Sequence, residues 1–228
     1  MDENLYLFLF SLSISFAAIA GLIRYKNVNA SYRPFLWYIF ISLLNELLVG
    51  FYLAKYTVKP IQIADWNFFN LFECLIFLTQ FYYWQVFSKL KESFFVLTIL
   101  LVAIWIGENF FRSTIYSFNY IFLISYSFVL ALLSIYTINT IVVKLNRSLF
   151  KNAMFIICVG LVIYFIYTII VFTFLLIGTD KVILLEVFTI KVFVNAFVNL
   201  VYAVAVFFIP CKMKRMDFFD GITMRNNK

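Results

Sequence analysis

A chain of 228 residues that is 65% hydrophobic and only 13% charged lies outside the range of a water-soluble domain, where about 45–50% and about 25% are usual. No aqueous core hides such an excess, so composition excludes a soluble globular protein. The formal net charge of +7 sits mostly in the short breaks between apolar runs, which makes it a signal of topology and no argument for nucleic acid.

Crossing a hydrocarbon layer takes about 20 residues at about 1.5 Å each. The sequence offers such runs near Leu5–Ile23, Phe35–Ala54, Asn67–Phe87, Phe94–Phe111, Phe118–Val143, Ala153–Ile177 and Val182–Ile209. They are continuous, whereas a barrel strand would read as a short alternating segment, so the expectation is an all-α, seven-helix polytopic bundle. It forms one membrane domain, followed by a short tail over 210–228. The first run opens on Met1-Asp2-Glu3-Asn4 and not on a positive stretch, which reads as a mature helix and not a cleaved leader.

Pro34, Pro60 and Pro210 all fall between runs, and of the six glycines only Gly160 lies deep inside one. Uninterrupted helices packed through large side chains are expected, without glycine-mediated crossings. Trp37, Trp66, Trp84 and Trp105 read as anchors at the membrane interfaces. Thirteen basic residues collect on one side, from Arg24, Lys26 and Arg33 through to the tail, against Lys55, Lys59, Arg112 and Lys181 on the other. The positive-inside rule then puts the N-terminus outside and the C-terminus in the cytoplasm. The expected location is a bacterial inner membrane.

Polar residues inside the runs carry the functional signal, because a charge at a helix centre costs about 2.5–3.5 kcal/mol on insertion scales. Asn45 and Glu46 lie in the second run. Asn67, Asn70 and Glu73 recur every three residues in the third, and Gln80 extends their face inward. In the last run Lys191, Asn195, Asn199 and Tyr202 fall on one stripe of the helical wheel. Glu46, Glu73 and Lys191 are expected at similar depth in the outer half, so an ion pair of Lys191 with Glu73 or Glu46 is the economical arrangement. The network either fixes helix register or lines a cavity open to the outside.

Much familiar chemistry is missing. Without any His the usual general base and His-containing zinc sites are excluded. Cys74, Cys158 and Cys211 show no paired spacing. No nucleophile elbow, Walker loop or dinucleotide fingerprint occurs. Glu46 and Glu73 as an acid–base pair is the one catalytic option, and it is unspecific. No cofactor is expected and the chain reads as a non-enzyme.

Asn70-x-x-Glu73, Gly160-x-x-x-Tyr164 and Asn195-x-x-x-Asn199 resemble a group of uncharacterised seven-helix integral membrane proteins from Bacteroidota. Some of that group accompany sensor histidine kinases, so the resemblance implies a sensory role through a protein partner. Where they often carry His in the last helix, this chain has Lys191. The leading expectation is a stand-alone membrane sensor or accessory subunit, with an outward polar pocket and a partner met by the basic inner loops and tail. The alternatives are a small-solute transporter or channel, a subunit of a larger membrane machine, and a retinal-binding protein using Lys191. The last departs from the known pattern, because Glu186 precedes Lys191 by five residues and not four.

Overall fold

The computed structural model describes residues 10, 12–49, 58–88, 91–144 and 149–211. The start of the first predicted run at Leu5, the end of the second at Ala54 and the basic tail beyond Cys211 lie outside the described residues. Within them the chain is all-α. The helices are α1 (Ile14–Arg24), α2 (Arg33–Leu47), α3 (Lys59–Tyr83), α4 (Lys91–Ile106), α5 (Tyr120–Lys144), α6 (Ala153–Ile177) and α7 (Lys181–Phe208). Five helical stretches, those of α3 to α7, are long and apolar enough to cross a membrane. Their outward faces carry Phe128, Leu132 and Tyr136 on α5, and Phe197, Leu200 and Val204 on α7, all exposed. Apolar side chains on outer and inner faces alike mark helices solvated by lipid.

Helix ends follow local chemistry. The side chain of Asn152 accepts from the backbone N–H groups of Met154 and Phe155 and so caps α6. Gly178, at φ +75°, closes the same helix: its N–H reaches Leu175 O and that of Thr179 reaches Phe174 O. Asp180 then caps α7 through Val182 N–H. This turn explains why the predicted bounds of these two helices agree with the observed ones to within a residue.

Helix α3 departs from expectation. It begins at Lys59, with Pro60 in its first turn, and not at Asn67, because proline pre-forms a helical start even where polar Gln62 and Asp65 follow. It stops at Tyr83, where Gln85 takes a left-handed conformation at φ 60° and Val86 N–H bonds back to Phe81 O. A side chain in that conformation costs about 1–2 kcal/mol. Helix α4 runs on as a π-helical turn over Gly107–Arg112, which turns Glu108 and Asn109 into the core while Phe110 and Phe111 stay exposed.

Consecutive helices pack in order and α7 returns to α1, so the bundle closes on itself. Helix α3 also meets α5, and its Phe77 packs edge-on to Phe165 of α6 at 5.9 Å, which makes it the central helix. Gly160 has a purpose the sequence did not suggest. A Cβ there would lie 2.7 Å from the Tyr202 ring, so its bare backbone admits an aromatic ring of α7 where α6 and α7 pack.

The end of the bundle holding Arg24, the N-terminus of α2 and the C-terminus of α7 is tied by backbone. The Arg24 guanidinium donates to the carbonyls of Val206 (2.7 Å), Phe207 and Ile209 (3.0 Å). These are the orphan acceptors at the end of α7. Asn29 N–H bonds Pro210 O at 3.0 Å, and Val28 pairs with Cys211 in an isolated antiparallel bridge. At the same end Gln80 of α3 accepts from Phe35 N–H at 2.8 Å and donates to Ser31 O at 2.6 Å. That side chain thus satisfies the start of α2.

Candidate functional site

The period-three pattern of α3 does bury its polar face: Asn67, Asn70, Glu73 and Gln80 are all inside. They serve different ends. Asn67 donates to the carbonyls of Ile115 (2.8 Å) and Ser117 (2.7 Å), and its own carbonyl accepts from the indole of Trp105 at 3.1 Å. It therefore pins the α4–α5 connection. Trp105 and Trp84 are buried, so two of the expected interface anchors are core residues.

Glu73 lies at the centre of the bundle, 1% exposed. The hydroxyl of Tyr126, on α5, donates to its Oε2 at 2.7 Å and lies 3.3 Å from Asn70 Oδ1. The hydroxyls of Tyr38 and Tyr164 approach the same carboxylate without closing a bond to its other oxygen. Glu73 Oε1 and Asn70 Nδ2 are both buried with no hydrogen-bond partner among the described residues, as is the hydroxyl of Tyr202. Around them stand aromatic rings: Tyr38 on Phe77 at 4.4 Å, Tyr202 on Phe35 at 5.2 Å and Tyr126 on Phe165 at 5.8 Å.

Lys191 does not form the expected ion pair. Its ammonium lies 4.5 Å from the centroid of Phe172 and 5.9 Å from that of Trp66, where the ring quadrupoles take the place of a carboxylate. Among the described residues the ion pair is instead Arg112 with Glu108, at 3.8 Å. Lys191 and Glu73 nevertheless act on each other electrostatically, and each is inside the bundle's span of helices. Glu46 and Glu73 both lie near enough to act on the Tyr164 hydroxyl.

The remaining predicted site residues are placed as follows. Asn199 is buried and donates to Ser13 Oγ at 2.9 Å, tying α7 to the start of α1. Tyr202 packs against Gly160 and the aromatic cluster. Asn195 and Asn45 are half-buried. The structure thus joins Asn70 and Glu73 through the Tyr126 hydroxyl, sets Tyr202 in their aromatic surroundings, and sends Asn67 and Asn199 to packing roles.

Sequence reasoning passed over Tyr126, Tyr38 and Glu108. Tyr126 shares a buried face with Leu130, Ser134, Thr137 and Ile141 of α5, a spacing readable in retrospect, but fifteen tyrosines conceal it. Glu108 accepts from the N–H groups of Ile121 (3.1 Å) and Phe122 (2.7 Å), capping α5 from a neighbouring helix. Its signal was a carboxylate in an apolar run followed four residues later by arginine.

Chemically, the centre offers an acceptor oxygen, an amide donor and a hydroxyl, walled by aromatic rings, with the Lys191 ammonium over Phe172 and Trp66 within electrostatic reach. No group of three or more His, Cys, Asp or Glu that suits a metal occurs among the described residues. No family model, no curated protein and no solved structure matches the chain.

Proposed function

We propose that this chain is a seven-span sensor of a bacterial inner membrane, with its N-terminus outside. It detects a small polar solute at Glu73, Asn70 and Lys191 and passes the change to a protein partner at its basic inner face. One observation carries the reading: Glu73 Oε1 and Asn70 Nδ2 are orphaned inside the bundle, with the Lys191 ammonium held over aromatic rings close by. An unmade hydrogen bond on a buried polar group costs about 1–3 kcal/mol, so groups of both polarities left open together favour an occupant that fills them. The complementary solute presents an acceptor to Lys191 and a donor to Glu73.

The five long apolar helices support the membrane setting. The first two predicted runs and the asymmetry of basic residues support seven spans and the stated orientation. The resemblance to Bacteroidota seven-helix proteins that accompany histidine kinases supports a partner-borne output. Arg24, which holds the end of α7, gives a change in α7 packing a route to the inner end.

Thermal unfolding of the purified protein with a panel of amino acids, small carboxylates, polyols and monovalent cations tests the reading. A solute at about 100 times its Kd stabilises by about 2.7 kcal/mol, and that gain is expected to vanish in Lys191→Ala and Glu73→Gln. Equal gains in those variants, together with an unchanged set of co-purifying proteins and an unchanged output, would overturn the proposal.

A second reading, transfer of a solute or ion, is favoured by Tyr164, whose hydroxyl lies within electrostatic reach of both Glu73 and Glu46. Flux into liposomes that is lost in Tyr164→Phe is its signature.

A further inference from the structure

A groove of about 400 Å3 opens on the side of the bundle between the start of α2 and the end of α3, and Glu73 is not among its lining residues. Its wall changes in character along its length. Arg33 and Tyr83 stand at one end, where Gln80 bonds Ser31 and Phe35, and Trp37, one turn further along α2, joins Leu75, Ile76 and Thr79 in lining the rest. From Tyr83 to Leu75 is about 12 Å of helix, the depth from a headgroup into the upper part of an acyl chain.

We propose that this groove holds one anionic phospholipid, with its phosphate on Arg33 and its acyl chains over Leu75 and Ile76. Charge complementarity identifies the occupant. Arg33 is exposed and among the described residues has neither a side-chain hydrogen bond nor an ion pair, unlike Arg24, which is committed to the end of α7, and Arg112, which meets Glu108. A guanidinium forks onto phosphate oxygens. Tyr83, 52% exposed at the Arg33 end, is an amphipathic ring of the kind that settles at headgroup level, and Trp37, 53% exposed one turn deeper, flanks the upper part of the acyl chain.

The floor asks for hydrocarbon. The Thr79 hydroxyl donates to Leu75 O at 2.7 Å, so the one polar side chain at depth is already satisfied within its helix. A soluble anion would use Arg33 but leave the apolar floor uncovered. A zwitterionic lipid would cover the floor but bring a second cation beside the guanidinium. An anionic lipid fits both ends, in the leaflet that borders the Arg33 end.

Native mass spectrometry of the full chain in detergent, with phosphatidylglycerol and phosphatidylcholine of identical chains added in equal amounts, tests the assignment. One retained lipid is expected, with phosphatidylglycerol favoured about tenfold, the effect of one charge-assisted pair. Arg33→Gln is expected to bring the two lipids to parity. Arg33→Lys keeps part of the preference, and Lys26→Gln, an exposed cation at the same end but outside the groove, keeps all of it. Phosphatidylglycerol brominated along its chains is expected to quench the native protein more than Trp37→Phe, which reports contact at the groove even where an Arg33 variant folds poorly. Parity in the native protein, a preference that survives Arg33→Gln, displacement of the lipid by inorganic phosphate, or equal quenching of Trp37→Phe overturns the proposal.

Discussion

Two buried carboxylates separate the two halves of this molecule's polar chemistry. At the α4–α5 corner both oxygens of Glu108 accept backbone N–H groups, and Arg112 stands over one of them. At the bundle centre Glu73 uses one oxygen on Tyr126 and leaves the other unpartnered. Both residues are buried to within a few per cent, so burial does not distinguish them. Completeness of hydrogen bonding does: a fully used carboxylate is a structural cap, and a partly used one in mixed company is a candidate for recognition.

That contrast is open to breaking by substitution. The largest effect is expected from Glu108→Ala, which removes two charge-assisted bonds and strands two N–H groups at the start of α5. A loss of about 3 kcal/mol in unfolding free energy is expected, and a loss under about 1 kcal/mol would demote Glu108 from its capping role. Tyr126→Phe comes next. It deprives Glu73 of its closed bond and is expected to cost about 1–2 kcal/mol, measured in the same unfolding assay. Arg112→Gln is expected to cost only about 0.5 kcal/mol, because its side chain is 56% exposed and solvent screens the pair.

The smallest effect on stability is expected from the residue of greatest functional interest. Glu73→Gln keeps an acceptor for Tyr126 and swaps an ionisable carboxyl for a neutral amide of the same shape, so unfolding is expected to shift by less than about 0.5 kcal/mol while solute binding is lost. A large destabilisation with binding intact would put Glu73 in the same class as Glu108.

The sequence revealed different parts of the fold to different depths. Both ends of α6 and the start of α7 were legible because the apolar runs stop where Asn152, Gly178 and Asp180 cap them. The inward face of α3 was legible because periodicity reports it. What periodicity cannot report is which residue of another helix stands opposite, and so Lys191 was matched to a carboxylate when Phe172 and Trp66 are its neighbours. Glu108 was hidden for a related reason: a π-helical turn shifts the wheel by one residue, and a regular wheel then misplaces everything after it. Arg24 was counted as a loop charge signalling topology, whereas most of its donors are committed to carbonyls at the end of α7.

That last residue has a mechanical meaning. With Arg24 gripping Val206, Phe207 and Ile209, and with Val28 and Asn29 bonded to Cys211 and Pro210, the first and last helices end in a buckle. A hoop fastened in this way transmits torque around its seam: a turn of α7 about its own axis carries the end of α1 with it. Whatever acts on the end of α7 at Cys211 therefore acts on a helix pair, and any hinge that lets the bundle splay at this end belongs to a seam other than this one.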